Sequence, residues 1–197
     1  MEYGGGSITA LPVIELNLTD FTTFIPTNLM AMTDGHLMFK SLLHNLGSRP
    51  AIDIPLSVSR VGRQTQDRLS NLLSSKVREL LSQADELETI SRFSSELPFQ
   101  TQLTLRRKKL LEEVLKQEPL TFISKEIQLI LLGLIFTVFM SNKEKSFLAK
   151  YKKTIVQAFL ENPSLINLTR SIPQIQTDDE LIKKLESIRP QLEKICQ

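Results

Sequence analysis

Leu69, Leu72, Leu73, Val77, Leu80, Leu81, Ala84 and Leu87 recur at intervals of three and four residues. That spacing puts them on one face of a long helix, predicted from about Gln64 to Ser91. A helix with a single apolar stripe is marginal in water by itself and needs neighbours that cover the stripe. The downstream sequence supplies them. Helical patterning returns at about Gln100 to Gln117, Ser124 to Met140, Lys143 to Leu160 and Asp178 to Lys194, with Pro98, Pro119, Pro163 and Pro173 at the joins. Thr177-Asp-Asp-Glu180 has the spacing of a capping box for the last helix. Residues 63–197 therefore read as an α-helical bundle domain.

Upstream the chain has a different character. Six of the seven glycines lie at or before Gly62, and the first 59 residues carry five acidic and two basic side chains against 17 and 22 in the remainder. Strands are predicted at residues 7–15, at 28–32 and at 36–39, with Asp34-Gly35 turning between the last two. A further run, Ala51 to Val61, contains Pro55, which a sheet tolerates at an edge or a bulge. A few strands without crossover helices leave open edges and an uncovered face, so this sheet needs elements from elsewhere. The expected class is α/β over residues 1–62, with an incomplete sheet, followed by the all-α bundle.

Composition removes several function classes. One cysteine, Cys196, rules out a disulfide framework and a cysteine metal cluster. His36 and His44, eight residues apart in turn contexts, make a poor metal pair, and no metal site is expected. The most apolar stretch, Ile127 to Met140, is shorter than the roughly 20 residues of a membrane span and reads as a buried core helix, so direct membrane insertion is not expected. The first dozen residues show neither a signal nor a transit pattern, which favours use in the compartment of synthesis. Gly4-Gly5-Gly6 lacks the lysine and the following helix of a phosphate loop and reads as a connector. Arg106-Arg107-Lys108-Lys109 is followed by Glu112 and Glu113 and reads as a solvated, ion-paired helix face rather than a nucleic-acid platform. Arg60 is the residue best suited to chemistry. It follows a strand in Ser57-Val-Ser-Arg-Val-Gly62, at the carboxyl edge where open α/β sheets place ligands. Its planar, permanently charged fork suits phosphoryl oxygens.

Several segments together resemble one family. GGGSITALPVIE (4–15), FIPTNLMAMTDGH (24–36), RPAID (49–53), SVSRVG (57–62), RFSSEL (92–97) and LLEEVLKQ (110–117) are similar, in order and spacing, to the alpha subunits of F-type rotary ATP synthases. The resemblance is dense through residue 62 and looser in the bundle. It implies a truncated or split alpha chain, with residues 1–62 as the C-terminal part of the P-loop-type nucleotide-binding domain, its phosphate loop absent, and residues 63–197 as the whole C-terminal helical bundle domain. It further implies a ring of alternating alpha and beta subunits around a central gamma stalk. A peripheral-stalk delta subunit and a separate N-terminal alpha piece are further expected partners. Such a complex uses ATP or ADP with Mg2+, none of it bound by this chain alone. It is peripheral on the cytoplasmic face of a bacterial membrane, or on the matrix or stromal face of an organelle membrane.

Carried over by position, Arg60 resembles the arginine finger that alpha extends into the catalytic site on beta. Arg49 and Pro50 resemble the pair lining the adenine pocket of alpha's own non-catalytic site, with Gln117 closing it from the helical domain. Gly35, the segment before it and Ser59 resemble the strand-turn that supports the interface. The sequence departs from the family pattern at Ala31, where serine is usual, at His36, where glutamine is usual, and at Pro119, where a second pocket glutamine is expected. These departures leave an alternative expectation: a non-catalytic assembly module, a divergent paralogue or an orphan fragment, docking through its bundle.

Overall fold

The computed structural model describes residues 4–16, 22–91 and 97–196. Residues 4–16 have no regular structure, and Ile8, Leu11 and Val13 stand almost wholly exposed. The strand expected at 7–15 does not form, because a strand needs a neighbour to take its backbone hydrogen bonds and none is paired with it. The strand expected at 28–32 is instead part of a helix, α1 (Phe24–Met32). Leu29, Met30, Ala31 and Met32 are good helix formers, and Pro26 lies in the first turn, where its missing N–H costs nothing.

Two strands form among the described residues. β1 (Gly35–Phe39) pairs antiparallel with β2 (Ile52–Ser59), running from Gly35 opposite Ser59 to Phe39 opposite Ile52. A short helix, α2 (Ser41–Asn45), lies in the connection. The register slips between His36 and Met38, and Pro55 sits within the bulge this creates on β2. Ser57 repairs the gap: its hydroxyl accepts from Met38 N–H at 3.0 Å and donates to Asp53 C=O at 2.6 Å. A bulge that needs no N–H from residue 55 accommodates the proline.

After α3 (Gly62–Thr65) the chain is helical: α4 (Arg68–Ser91), α5 (Phe99–Leu115), α6 (Lys125–Ile135), α7 (Val138–Ser141), α8 (Lys145–Glu161), α9 (Pro163–Ser171), a 3-10 turn at Ile172–Gln174, α10 (Asp178–Ser187) and α11 (Arg189–Ile195). The predicted stripe on α4 faces the core at Leu69, Leu73, Val77, Leu80, Leu81 and Ala84, whereas Leu72 lies outside it. α6 is the most deeply buried element. Gly133 brings it against α10 so closely that a Cβ there would stand 2.8 Å from Leu181 Cδ2.

Two predicted helices are split. Thr137 Oγ1 bonds Leu134 C=O, and the Glu186 carboxylate accepts from Val138 N–H, which ends α6 and starts α7. Pro190 has no N–H with which to continue α10, so α11 begins afresh. α9 was not expected, although Asn162 caps it by accepting from Ser164 N–H at 3.1 Å with Pro163 at its first position. Thr177 accepts from Glu180 N–H as the capping spacing requires. No helix among the described residues is long and apolar enough to cross a membrane.

Candidate functional site

The residues singled out from sequence lie at the two ends of the β1–β2 ladder. At one end stand Gly35, Ser59 and Arg60. Gly35 opposes Ser59, and a Cβ at Gly35 would meet Val58 O at 2.5 Å and Ser59 Cα at 3.0 Å, both backbone atoms. Only glycine permits this approach of the strands. Ser59 Oγ accepts from Gly62 N–H at 3.0 Å and sets the turn out of β2. Arg60 N–H donates to Asp34 C=O at 2.8 Å, extending the pairing by one bond beyond the strand. The Arg60 side chain is exposed, and its guanidinium donates to Met30 C=O at 3.3 Å and Ala31 C=O at 3.4 Å. Both carbonyls belong to the last turn of α1, whose partial negative charge suits a cation. These are long bonds, and a guanidinium has five N–H donors. Most of the fork remains available.

At the other end stand Arg49, Pro50 and Gln117. The Arg49–Pro50 peptide is cis. Arg49 Nη1 donates to His44 C=O at 2.8 Å and Ser48 C=O at 2.9 Å, and Arg49 C=O accepts from Gln117 N–H at 2.7 Å. This last bond ties the strand region to the exit of α5. It brings Gln117 to the Arg49–Pro50 pair, 67 residues away in sequence. An open groove of about 580 Å³ follows, lined by Arg49, Pro50 and residues 117–122. Its outer wall is a turn in which Thr121 N–H bonds Glu118 C=O at 3.2 Å, with Pro119 leading and Leu120 at φ 60°. A left-handed leucine costs roughly 1 kcal/mol or more. Leu120 and Phe122 are both almost completely exposed. An antiparallel strand advances about 3.4 Å per residue, so β2 separates the two ends by on the order of 20 Å. They are two sites, not one.

The exit of α5 is held by Lys152, on α8. Its ammonium donates to the carbonyls of Glu113 at 3.0 Å, Val114 at 2.7 Å and Lys116, taking up acceptors that a helix end leaves unpaired. Burial pulls the Lys152 pKa below the ordinary lysine range. The basic run on α5 is less solvated than the sequence suggested. Lys108 reaches across to α4 and pairs with Asp85 at 2.7 Å and Glu88 at 2.8 Å, not with Glu112. Burial works against its charge, but the two carboxylates outweigh it and its pKa rises. Arg106 donates to Ser141 C=O at 3.0 Å, and Arg107 lies over the Phe136 ring at 5.8 Å with its pKa lowered by burial. Interhelix contacts claim these side chains because α5 packs on its neighbours through this face.

Two family models match the chain: one described as the ATP synthase alpha/beta family, nucleotide-binding domain, over residues 1–59, and one as the ATP synthase alpha/beta chain, C terminal domain, over residues 66–192. The chain belongs to the ATP synthase alpha/beta family. ATP synthase subunit alpha 1 of Mycoplasmopsis pulmonis is 36% identical over 186 residues, covering 94% of this chain and 35% of that protein. ATP synthase subunit alpha of Mesomycoplasma hyopneumoniae is 40% identical over 154 residues, 78% of this chain and 30% of that protein. The Aquifex aeolicus subunit alpha is 36% identical over 185 residues, 94% of this chain and 37% of that protein. The chain thus spans about a third of the length of the curated relatives it matches. Its small sheet followed by helices has the family's order of a nucleotide-binding part and a C-terminal helical domain.

The RFSSEL segment falls almost wholly outside the described residues. His36 Nε2 lies 3.0 Å from Leu56 C=O, a contact within the hairpin. Sequence reasoning passed over Phe122 and Lys152. A lone aromatic between Pro119 and Ser124, outside any helical period, was the available signal for the first. Lys152 sits among Lys150 and Lys153 with nothing to distinguish it.

Proposed function

We propose that the chain acts as an alpha-type subunit of a proton-translocating ATP synthase and supplies Arg60 in trans to a catalytic site on a beta subunit. The observation that carries this reading is the state of the guanidinium: exposed, next to a turn fixed by Gly35 and Ser59, and held by two long bonds to backbone carbonyls. A group held that loosely can exchange a carbonyl partner for a more strongly charged one. In phosphoryl transfer, negative charge spreads over the equatorial oxygens of the moving group, and a planar fork meets two of them at once. A finger of this kind raises the rate by about 10³ to 10⁵.

Family membership supports the same reading, as does the convergence of Arg49, Pro50 and Gln117 on one groove, which we assign to the adenine end of a non-catalytic ATP or ADP site. The phosphate-holding part of that site comes from outside this sequence. Mg2+ accompanies the nucleotide. Among the described residues no group of three His, Cys, Asp or Glu side chains is placed to hold a metal ion. The partners are beta subunits, the gamma and delta stalk subunits and a separate N-terminal alpha piece, with the assembly peripheral on the cytoplasmic, matrix or stromal face of its membrane.

The test is Arg60→Ala in the assembled complex. Turnover should fall by about three orders of magnitude or more while the ring still assembles. An intact ring with unchanged turnover would remove the finger assignment and leave the chain as an assembly module that docks through its bundle. Native mass spectrometry on the same sample identifies the chains that come with it.

A further inference from the structure

The groove beside Arg49 carries a feature its assigned residues do not use. Gln117 offers an exposed side-chain amide with no hydrogen bond to the described residues, and Pro50 and Pro119 are flat apolar walls. Phe122, 90% exposed, lines the same groove. An aromatic ring of this size left in water gives up the burial that aromatic side chains ordinarily gain, and a flat partner seated in the groove would restore it. The partner that fits must be planar and apolar on its faces, with hydrogen-bonding groups on its edge. An adenine base has that shape, and a side-chain amide can donate and accept along its edge at N6 and N7.

We infer that Phe122 is the stacking platform for the base in this groove, taking over base recognition where Pro119 offers no amide. The inference rests on the adenine-groove reading proposed above. The base slides between Phe122 and the proline walls while Gln117 reads its edge. Gln117 is itself fixed by its N–H bond to Arg49 C=O. Stacking of a base on an aromatic side chain contributes binding that is lost about 5- to 150-fold on truncation to alanine. The open groove favours the lower end. With the phosphates' contribution supplied from outside this chain, the base alone is expected to bind at about millimolar concentration.

The chain has no tryptophan and two tyrosines, so Phe122→Trp introduces a single tryptophan, excited selectively at the red edge, at the proposed platform. Phe122 is exposed enough that neither Phe122→Trp nor Phe122→Ala disturbs the fold. The probe is adenosine, titrated into the full chain, with uridine as a poorly stacking control. Saturable quenching of Phe122→Trp by adenosine, weak quenching by uridine, and at least fivefold weaker adenosine binding to Phe122→Ala by amide chemical-shift titration are expected. Equal adenosine affinity of wild type and Phe122→Ala, with shifts centred on Gln117 and Arg49, would overturn the stacking role and leave the groove standing. No saturable shift at Gln117 or Arg49 in the wild type would overturn both the groove and the platform.

Discussion

Replacing Lys152 by methionine isolates the contact that holds the α5 exit. Methionine keeps the length and apolar stem of the side chain and removes its three donors. The carbonyls of Glu113, Val114 and Lys116 then lose their shared partner at a helix end that is partly shielded from water. A hydrogen bond from a charged donor contributes about 1.5 to 3 kcal/mol when its loss leaves a buried acceptor unpaired. Water reaches part of this end, and removing the ammonium also relieves the burial that lowers its pKa. Those two effects cut the sum of three bonds to a net loss of about 2 kcal/mol. For a chain of this size a urea slope of about 2 kcal/mol per molar puts the midpoint lower by about 1 M. Amide exchange supplies the local readout. Gln117 N–H, bonded to Arg49 C=O, should exchange faster as the helix exit loosens, while amides of α6 keep the protection of the core. Lys152→Arg should restore much of both. A midpoint shift below about 0.2 M with an unchanged slope, or Gln117 protection equal to wild type, would show that Lys152 does not hold this end.

Two further outcomes follow from the same contacts. Asp67 caps α4 by accepting from Ser70 N–H at 2.7 Å and pairs with Lys125. Partial burial pushes its carboxyl up, but these bonds outweigh it and hold the pKa at about 2, below the ordinary aspartate value of 3.8. Its contribution is therefore complete above about pH 5 and lost as pH falls through 2; after solvent screening it is about 1 kcal/mol. Urea midpoints of wild type and Asp67→Ala should differ at pH 6 and the gap should shrink to a small fraction by pH 2, and a gap undiminished at pH 2 would contradict the linkage. Gly35→Ala sets a Cβ against backbone atoms of Val58 and Ser59, which should loosen that end of the ladder by about 1 to 3 kcal/mol. Exchange at Arg60 N–H should speed up about tenfold with α10 unaffected, and unchanged exchange there would mean the strands can spread at no cost.

The bundle was legible because its signal is periodic and redundant. Each of Leu69, Leu73, Val77, Leu80 and Leu81 argues for the same face, so an error at Leu72 changes nothing. Helix ends were harder. Pro190 and the Glu186 contact to Val138 break helices whose apolar pattern runs on without interruption. In the first sixty residues, two apolar runs have the look of strands without forming them. Residues 28–32 consist of helix formers, and residues 7–15 have the composition of a strand but no paired neighbour. Strand formation depends on pairing across the fold, which a local pattern does not carry. The positions around Arg60 and Arg49 came from resemblance. Spacing offered a guanidinium after a strand, and nothing in it foretold that Gln117 would bond Arg49.

The hairpin and the bundle bear different loads, and this decides how variants can be interpreted. The bundle contains nearly all of the buried apolar side chains, from Leu69 to Leu192, while the hairpin contributes Met38 and Ala51 and packs Ile54 against the same core. Arg60, Gln117, Leu120 and Phe122 are all exposed. None of them fills a space whose loss would leave a cavity, so truncating them costs little stability. Loss of turnover in Arg60→Ala, or of base binding in Phe122→Ala, therefore reports on the interaction itself. Gly35 and Lys152 are the opposite case: they act through backbone they hold in place, and their variants must be judged by exchange at Arg60 and Gln117 before any change in activity is assigned to chemistry.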